Sequence, residues 1–381
     1  MARGRHRILV NAVHARAGGG ITYLRNLLPL LAAETDLDIH IIPHPSQASA
    51  FAALSPDLTM HRIAMPAGWL PLLLWEQTVL PFLAWRIGFD VILSPANFGP
   101  LLLPNQVIVV QNALAVRTQE SRFGKRLYWA SLRAMTALSL LGARRAIAVS
   151  HYVAGTTASA RLRHAAPVVI HHGVAAVFSP PQAGDARENF LLVVGDLYIQ
   201  KNLHSLVEAL ALVLRQHPAI ALRIAGREID ADYAAALHRL VRERGLRDAV
   251  IFLGHRETAE IVELYRRCAI FVFPSTAESF GMPLVEAMAC GAPVIASNTS
   301  AMPEIAADAA LLCDPADPHD IAAAILRVLD DPALRQSLSE RALLRAKTFS
   351  WADCARRTAT VLREAAAGRP RRAAAAPSPS R

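Results

Sequence analysis

The sequence predicts an α/β protein with two domains, each built on a parallel β-sheet, and three observations carry this prediction. Short apolar runs that suit buried strands alternate with longer segments whose apolar residues recur at helical spacing. Residues 174–188 interrupt this alternation with Pro180, Pro181 and Gly184, which indicates a linker. The alternation then resumes and continues almost to the C-terminus. Two such sets joined by a linker predict two Rossmann-like domains that face each other across a cleft.

The first domain is expected to cover residues 1–178. A basic arm leads into a first strand at residues 8–11, and Gly18, Gly19 and Gly20 then connect this strand to a helix. Three glycines in a row indicate either a close approach of the backbone to a ligand or a plain flexible loop. Further strands are predicted at residues 37–42, 91–94, 107–111, 146–150 and 168–171, with helices at residues 21–33 and 128–141.

The second domain is expected to cover residues 179–350. Its strands are predicted at residues 190–194, 222–225, 250–253, 270–273 and 294–296, and its helices at residues 203–214, 233–244, 259–267, 284–289, 321–329 and 334–346. Residues 351–368 are expected to form a C-terminal helix that packs back toward the first domain. Residues 369–381 contain only Arg, Ala, Pro and Ser and are expected to be disordered.

The 381 residues carry a formal charge of +9, and this charge is unevenly distributed. Residues 8–178 contain 13 basic and 7 acidic residues, whereas residues 179–368 contain 20 basic and 24 acidic residues. A basic half indicates an anionic partner, either a membrane or a nucleic acid, although a soluble arginine-rich protein would show the same imbalance. Nucleic-acid binding would rest on the basic ends alone, without interleaved aromatic residues, so no nucleic-acid partner is expected.

Cysteine usage and hydropathy predict a cytoplasmic protein. The four cysteines form no C-x-x-C pair, which indicates buried free thiols in a reducing compartment. No signal peptide is recognised in the sequence. The strongest candidate for a membrane span, Trp69–Ile87, contains Glu76, Arg86 and two prolines, which a spanning helix tolerates poorly. We therefore expect this segment to be buried or to lie on the protein surface.

The most informative segment is a strand-to-helix connection at residues 275–282. Pro283 follows it and suits the first position of a helix. The amides of Phe280, Gly281 and Met282 would then point out of a helix N-terminus at the carboxyl edge of a sheet. This placement predicts an anion site that suits a diphosphate.

Two carboxylates accompany this connection. Glu286 would lie one turn into the helix, where a carboxylate would repel phosphate but suits a pair of hydroxyls such as a ribose diol. Glu278 would stand at the start of the loop and face the same cleft. Either carboxylate alone fits a surface or helix-dipole role. Together with the amides they indicate a binding site.

Lys201 is a second candidate for contact with phosphate. It follows the strand at residues 190–194 and Gly195, and Asn202 beside it is a suitable N-cap for the next helix. A compact ammonium group at a helix N-terminus suits a phosphate partner, and a solvated loop lysine is the alternative.

These features, in this order, resemble the retaining glycosyltransferases of family 4, which have the GT-B fold. The resemblance is carried by the glycine-rich loop, Gly195 with Lys201 and Asn202, Gly254 after a strand, Glu278 with Glu286, and Pro303 with Glu304. It covers nearly the whole chain and is strongest over residues 190–350. The segment Leu74-Trp75-Glu76-Gln77, with Ser94-Pro95-Ala96-Asn97, looks like members that build bacterial surface polysaccharides, mannosyl-type transferases among them.

The resemblance implies a role for each matching position. Glu286 would bind the ribose of a nucleotide sugar, and Lys201 would neutralise the leaving diphosphate. Glu278, with the amides from Phe280 to Met282, would hold the donor sugar and its pyrophosphate. The loop of Gly18, Gly19 and Gly20 would approach phosphate and acceptor, and Gly254 and Arg256 would lie near the base. No metal ion or other cofactor would then be required.

The sequence departs from the family pattern at two places. Asp196 and Gln200 occupy positions where the family carries an arginine before the lysine, and Arg227 is the hypothesised substitute. Gln111 and Asn112 replace a His-Asp pair. Gln111 can hydrogen-bond a sugar hydroxyl but cannot act as a charged acid.

The function predicted is that of a metal-independent, retaining hexosyltransferase in surface polysaccharide synthesis. GDP-mannose is the favoured donor, the acceptor is an oligosaccharide or a lipid-linked saccharide, and the protein would work in the cytoplasm in peripheral contact with an anionic membrane. A transferase that uses a UDP-sugar and a catalytically inactive partner subunit are the alternatives, the latter because of Gln111 and Gln200. The Asp-x-Asp pairs at residues 36–38 and 230–232 suit capping or solvation rather than a metal, and no H-E-x-x-H or G-x-G-x-x-G motif occurs.

Overall fold

A computed structural model of the protein describes residues 5–15, 18–101, 103–112, 123–157, 166–181 and 186–367, with the backbone alone for residues 123–129. The segment expected to be disordered, residues 369–381, lies outside the described residues. The described chain contains two parallel sheets, one of seven strands and one of six. The fold class predicted from the sequence is confirmed.

The first sheet has the strand order β3-β2-β1-β4-β5-β6-β7, and every neighbouring pair is parallel. Its strands are β1 (His6–Ala12), β2 (Leu37–Pro43), β3 (Thr59–Met60), β4 (Val91–Ser94), β5 (Gln106–Val110), β6 (Arg145–Ala148) and β7 (Val168–Val169). The central strands β4 and β5 are buried along their whole length because helices cover both faces of the sheet.

The helices of this half alternate with its strands. They are α1 (Gly19–Ala32), α2 (Ala48–Ala52), α3 (Trp69–Ile87), α4 (Phe123–Gly142) and α5 (His151–Thr157), with a short 3-10 turn at Pro45–Gln47. Side chains of successive strand residues point to opposite faces. Ile8 and Val10 therefore join the core under α1, whereas Leu9 packs in a separate cluster under α3.

The second sheet has the strand order β10-β9-β8-β11-β12-β13 and is also parallel throughout. Its strands are β8 (Phe190–Val194), β9 (Ala221–Ala225), β10 (Val250–Gly254), β11 (Ile270–Phe273), β12 (Val294–Ser297) and β13 (Ala310–Cys313). Its helices are α6 (Leu203–Val213), α7 (Ala231–Glu243), α8 (Thr258–Arg267), α9 (Met282–Ala289), α10 (Met302–Ala306), α11 (Pro318–Asp330) and α12 (Pro332–Ala346), with a 3-10 turn at Ile199–Lys201.

The last helix, α13 (Trp351–Ala367), returns to the first sheet and packs on α1, β1, β4, β5 and β6. Arg363 of this helix pairs with Asp36 at 2.7 Å and with Glu34 at 2.6 Å. The chain therefore passes from one sheet to the other twice, and these two crossings join the halves beside the cleft.

Several elements differ from the sequence prediction. β13 was not predicted, because its run of alanines and leucines carries no clear strand signal and becomes a strand only by pairing with β12. Trp69–Ile87 is a helix that lies on the protein surface, which is one of the two arrangements expected from the sequence. In the part of the chain that the structure describes, every helix is too short or too polar to cross a membrane.

Side chains that suggested other chemistry have structural roles. Asp230 caps α7 by accepting a hydrogen bond from the Tyr233 amide, and Asp36 binds Arg363. The cysteines are all buried and free, as predicted, at positions 268, 290, 313 and 354.

Candidate active site

A cleft of about 760 Å³ lies between the two sheets, and most of the segments that line it follow the end of a strand. The carboxyl ends of parallel strands are where α/β sheets bind ligands. From the first half, the lining includes His14, Gly19 and Gly20 after β1, residues 95–98 after β4, and Gln111 after β5. From the second half, it includes Tyr198, Gln200 and Lys201 after β8, and residues 277–283 after β11.

Lys201 and Glu278, predicted separately from the sequence, form a direct pair in this cleft. The Lys201 Nζ atom lies 2.7 Å from Glu278 Oε1, and both side chains are largely buried. Burial works to lower the pKa of the Lys201 ammonium, but the Glu278 carboxylate and the Tyr198 hydroxyl together raise that pKa above its usual value. Lys201 is therefore a permanent cation in the cleft wall.

The backbone around Lys201 is shaped for this position. Gly195 has φ +151°, and a Cβ atom there would lie 2.9 Å from the Lys201 Cε atom, so only glycine leaves room for the lysine. Asn202 occupies the N-cap position of α6, as predicted, but it has a left-handed conformation (φ +55°) and its side chain makes no capping hydrogen bond. Its Nδ2 group donates instead to the carbonyls of Pro274 and Pro315, which fixes the lysine turn against the loop after β11.

The loop between β11 and α9 presents backbone N–H groups to the cleft. Phe280, Gly281 and Met282 all line the cleft, and α9 begins at Met282 with Pro283 in its first turn, as predicted. Among the described residues, no acceptor is bonded to the amides of Phe280 and Gly281. A helix N-terminus with free amides next to a buried ammonium has the chemistry that suits an anion.

Glu286 is also in α9 but does not contribute to the cleft lining. Its Oε2 atom accepts a hydrogen bond of 3.2 Å from the Tyr265 hydroxyl. Burial raises the pKa of the Glu286 carboxyl to about 7, against the opposing effects of Tyr265 and of the Lys201 charge. The carboxylate predicted to bind a diol is thus close to half ionised near neutral pH.

The remaining predicted donor contacts lie away from the cleft lining. Arg227 forms two hydrogen bonds with the Asp196 carboxylate, of 2.7 and 3.1 Å, so the hypothesised substitute cation is already paired. Gly254 ends β10 with φ +68°, and Arg256 pairs with Glu260 at 3.7 Å. The structure therefore brings Lys201, Glu278 and the amide loop together, but not these three residues.

In the first half, two of the three glycines of the glycine-rich loop line the cleft, and so does Gln111. Gly19 and Gly20 line it at the start of α1, whereas Gly18 precedes the helix with φ +65°. The Gln111 Nε2 group donates to the Pro95 carbonyl at 2.8 Å. This hydrogen bond uses one N–H of the Gln111 side-chain amide, so the other N–H and the side-chain oxygen can bond a ligand.

His14 is a cleft residue whose role the sequence analysis did not single out. Its Nε2 atom lies 3.0 Å from Glu76 Oε2, and the other Glu76 oxygen accepts a hydrogen bond of 2.5 Å from Asn11. Glu76 is fully buried although it belongs to the surface helix α3. An acid in the middle of an apolar helix is the sequence signal that could have revealed this buried partner.

Contacts between the halves hold the amide loop in place. The Ser150 hydroxyl donates to the Ser279 carbonyl at 2.7 Å. Glu304 in α10 accepts hydrogen bonds from the amides of His151 and Tyr152 at 2.8 and 3.0 Å, and lies 2.8 Å from the His171 ring. Burial works to raise the pKa of Glu304, but these hydrogen bonds lower it below its usual value.

The chemistry available in the cleft is electrostatic. A buried cation and unpaired amides can stabilise negative charge that develops on a leaving phosphate. Within the described ranges, no group of three His, Cys, Asp or Glu residues is arranged to hold a metal ion.

Part of the chain is similar in sequence to known proteins. Residues 178–345 match the family model described as glycosyl transferases group 1. The chain is 37% identical over 178 residues to the O-antigen chain mannosyltransferase B of Escherichia coli, and this match covers 45% of this chain and 45% of that protein. The chain thus spans about half the length of this curated relative.

Two solved structures share the whole fold. The sucrose-phosphate synthase of Thermosynechococcus elongatus superposes with a TM-score of 0.75 at 22% identity, over 96% of this chain and 100% of that one. The Anabaena protein Alr3699/HepE, solved in complex with UDP and glucose, superposes with a TM-score of 0.75 at 20% identity, over 94% of this chain and 100% of that one. These similarities support the two-domain α/β fold.

Proposed function

We propose that the protein is a retaining glycosyltransferase that moves a hexose from a nucleoside-diphosphate sugar to an acceptor hydroxyl. The single observation that carries this proposal is the buried Lys201–Glu278 pair beside the free amides of Phe280 and Gly281, in a cleft between two parallel sheets. These residues belong to the segment that matches the glycosyl transferases group 1 model.

In the proposed reaction, the bond between the anomeric carbon and the diphosphate oxygen breaks, and a bond from the acceptor oxygen to that carbon forms on the same face of the sugar. The acceptor proton leaves with the departing diphosphate. Lys201 and the amides stabilise the negative charge that grows on the diphosphate, and this stabilisation requires no metal ion. Glu278 holds Lys201 and faces the donor sugar, while Glu286 binds the ribose from within α9.

The proposed donor is GDP-mannose, and the proposed acceptor is an oligosaccharide or a lipid-linked saccharide in surface polysaccharide synthesis. The Escherichia coli relative, named for mannosyl transfer to an O-antigen chain, supports this choice. A UDP-sugar is the alternative donor. Peripheral contact of the basic first half with the inner face of a membrane also belongs to this proposal, because it suits a lipid-linked acceptor.

Isothermal titration calorimetry with GDP, UDP and ADP, in buffer containing EDTA, tests the proposal. We expect one nucleotide to bind without added metal. Lys201→Met should weaken that binding and reduce turnover by a factor of about 100 to 1,000, because a preorganised charge at the leaving group is lost. Lys347→Met is the matched control, since Lys347 is an exposed lysine at the end of α12.

The outcomes separate the alternatives. Binding of UDP in preference to GDP would replace the proposed donor. Nucleotide binding with no hydrolysis or transfer of any tested nucleotide sugar would favour the inactive partner subunit. Absence of binding to all three nucleotides at millimolar concentration would overturn the enzyme proposal.

A further inference from the structure

Helix α3 has an exposed apolar side. Leu70, Leu74 and Phe82 are 55%, 58% and 55% exposed, and Trp85 is 59% exposed. Their spacing places them along one side of the helix, because residues three or four positions apart lie on the same face. We call these four residues the outer face of α3.

The opposite side of α3 is already buried against the first sheet. Leu72, Leu80 and Ala84 pack with Leu9 and Ile92 in a separate core cluster. The helix is therefore apolar on both sides, and a helix of this kind is normally enclosed by protein or lipid. Because α3 carries two prolines and does not qualify as a membrane span, it can lie on a bilayer but not cross it.

Charge around the outer face favours an anionic partner. The single acid of α3, Glu76, is fully buried, and Asp90 just beyond the helix accepts a hydrogen bond from the Arg7 amide. Arg62 before the helix and Arg86 in its last turn are both exposed. An apolar side that includes a tryptophan and has an exposed arginine in its last turn matches the interface of an anionic bilayer, where acyl chains meet negative headgroups.

The outer face also lies close to the cleft mouth. Trp69 and Leu72, in the first turn of α3, line the cleft itself. A surface bound along α3 would therefore lie beside the opening through which an acceptor enters.

We propose that the outer face of α3 docks the protein on an anionic lipid bilayer, with the helix parallel to the membrane surface. A second copy of the chain is the less suitable occupant, because a symmetric pairing of the two faces would bring Arg62 and Arg86 of both copies together. The membrane contact proposed above for the basic first half is thereby assigned to a specific apolar face. It does not depend on nucleotide binding.

Flotation of the full chain with lipid vesicles tests this assignment. We expect binding to vesicles of phosphatidylcholine with 30% phosphatidylglycerol, a composition chosen for its negative charge, and weaker binding to pure phosphatidylcholine. The double substitution Leu74→Ser and Phe82→Ser should reduce partitioning by about tenfold or more, because two apolar side chains no longer enter the interface. Arg86→Glu should reduce binding to the anionic vesicles alone.

The matched control is the double substitution Leu344→Ser and Ile251→Ser, which removes exposed apolar residues of the second half. It should leave partitioning unchanged. Circular dichroism and GDP or UDP titration confirm that each variant is folded. Equal flotation of the α3 variant and the wild type would overturn the proposal. Failure of the wild type to bind vesicles of either composition would also overturn it. A dimer that dissociates in the α3 variant would assign the face to a second copy instead.

Discussion

The buried ionisable side chains in and beside the cleft are paired with other polar side chains. Lys201 keeps its charge in a buried position because Glu278 lies 2.7 Å away. Glu76, fully buried, accepts a hydrogen bond from Asn11 and lies 3.0 Å from the His14 Nε2 atom. A buried charge is tolerated only when it is paired and hydrogen-bonded. Each of these residues therefore acts as part of a pair, and substitution of one member changes the other.

Glu286 gives a prediction at this scale, because its pKa of about 7 lies within the working pH range. The ionised carboxylate accepts both hydroxyls of a ribose, so nucleotide affinity should rise as the pH increases from 6 to 8. The expected gain is about tenfold, the change in the ionised fraction of one group with this pKa. Titration calorimetry at several pH values measures it.

Glu286→Gln is the control for this measurement. A nucleoside diphosphate also titrates in this range, and the variant retains that contribution while losing the carboxylate. The pH dependence of the variant should therefore be weaker than that of the wild type. Parallel pH profiles for the two proteins would contradict a role for Glu286 in ribose binding.

At the scale of elements, the loop between β11 and α9 depends on one backbone conformation. Gly281 has φ +80°, and a Cβ atom there would lie 2.7 Å from the Met302 Cε atom in α10. Glycine is therefore needed both for its conformational freedom and for the close approach of the neighbouring helix. The geometry of the amide loop is set by this residue.

Gly281→Ala should lower the free energy of unfolding by about 2 to 4 kcal/mol, from backbone strain together with overpacking. It should also weaken nucleotide binding, since the amides would move. Gly245→Ala is the matched control, because Gly245 has φ +68° but has no atom within 4 Å of the added Cβ. Urea denaturation of both variants separates strain from crowding. Equal destabilisation of the two would show that contact with Met302 is unimportant.

At the scale of the whole molecule, an apolar core cluster contains residues of both halves, and polar contacts beside the cleft also join them. Glu304 in the second half binds the start of α5 and His171 in the first, and α13 returns to the first sheet with Arg363 bound to Asp36. These contacts fix the distance between the glycine-rich loop and the amide loop. The cleft is thus a property of the assembled halves.

Glu304→Gln should lower the free energy of unfolding by about 1 to 3 kcal/mol at pH 7, because charge-assisted hydrogen bonds are lost. The pKa of Glu304 is lowered on folding, so its stabilising effect is present above the unfolded value near 4.5 and is lost as the pH falls below it. The difference in unfolding free energy between variant and wild type should therefore shrink from pH 7 to pH 4. Glu340→Gln, on the exposed side of α12, should show no such difference.

Most of the fold and part of the site could be predicted before the structure. Short apolar runs predict the strands around β1 and β8, and Pro283 at a helix start predicts the amide loop. β13 escaped prediction because its alanines and leucines favour no single structure. Arg227 is the hypothesised phosphate cation, and nothing in the sequence shows that Asp196, 31 positions away, hydrogen-bonds it.

The sequence by itself determined the alternation of strands and helices, the linker between the two halves, and the strand ends that carry Lys201, Glu278 and the amide loop. These features are local, because periodicity and turn residues act within a few positions of the chain. The tertiary structure alone decided which groups meet. The Lys201–Glu278 pair spans 77 positions and the His14–Glu76 pair spans 62. Such contacts depend on how the sheets and helices pack, and packing is a property of the folded chain as a whole.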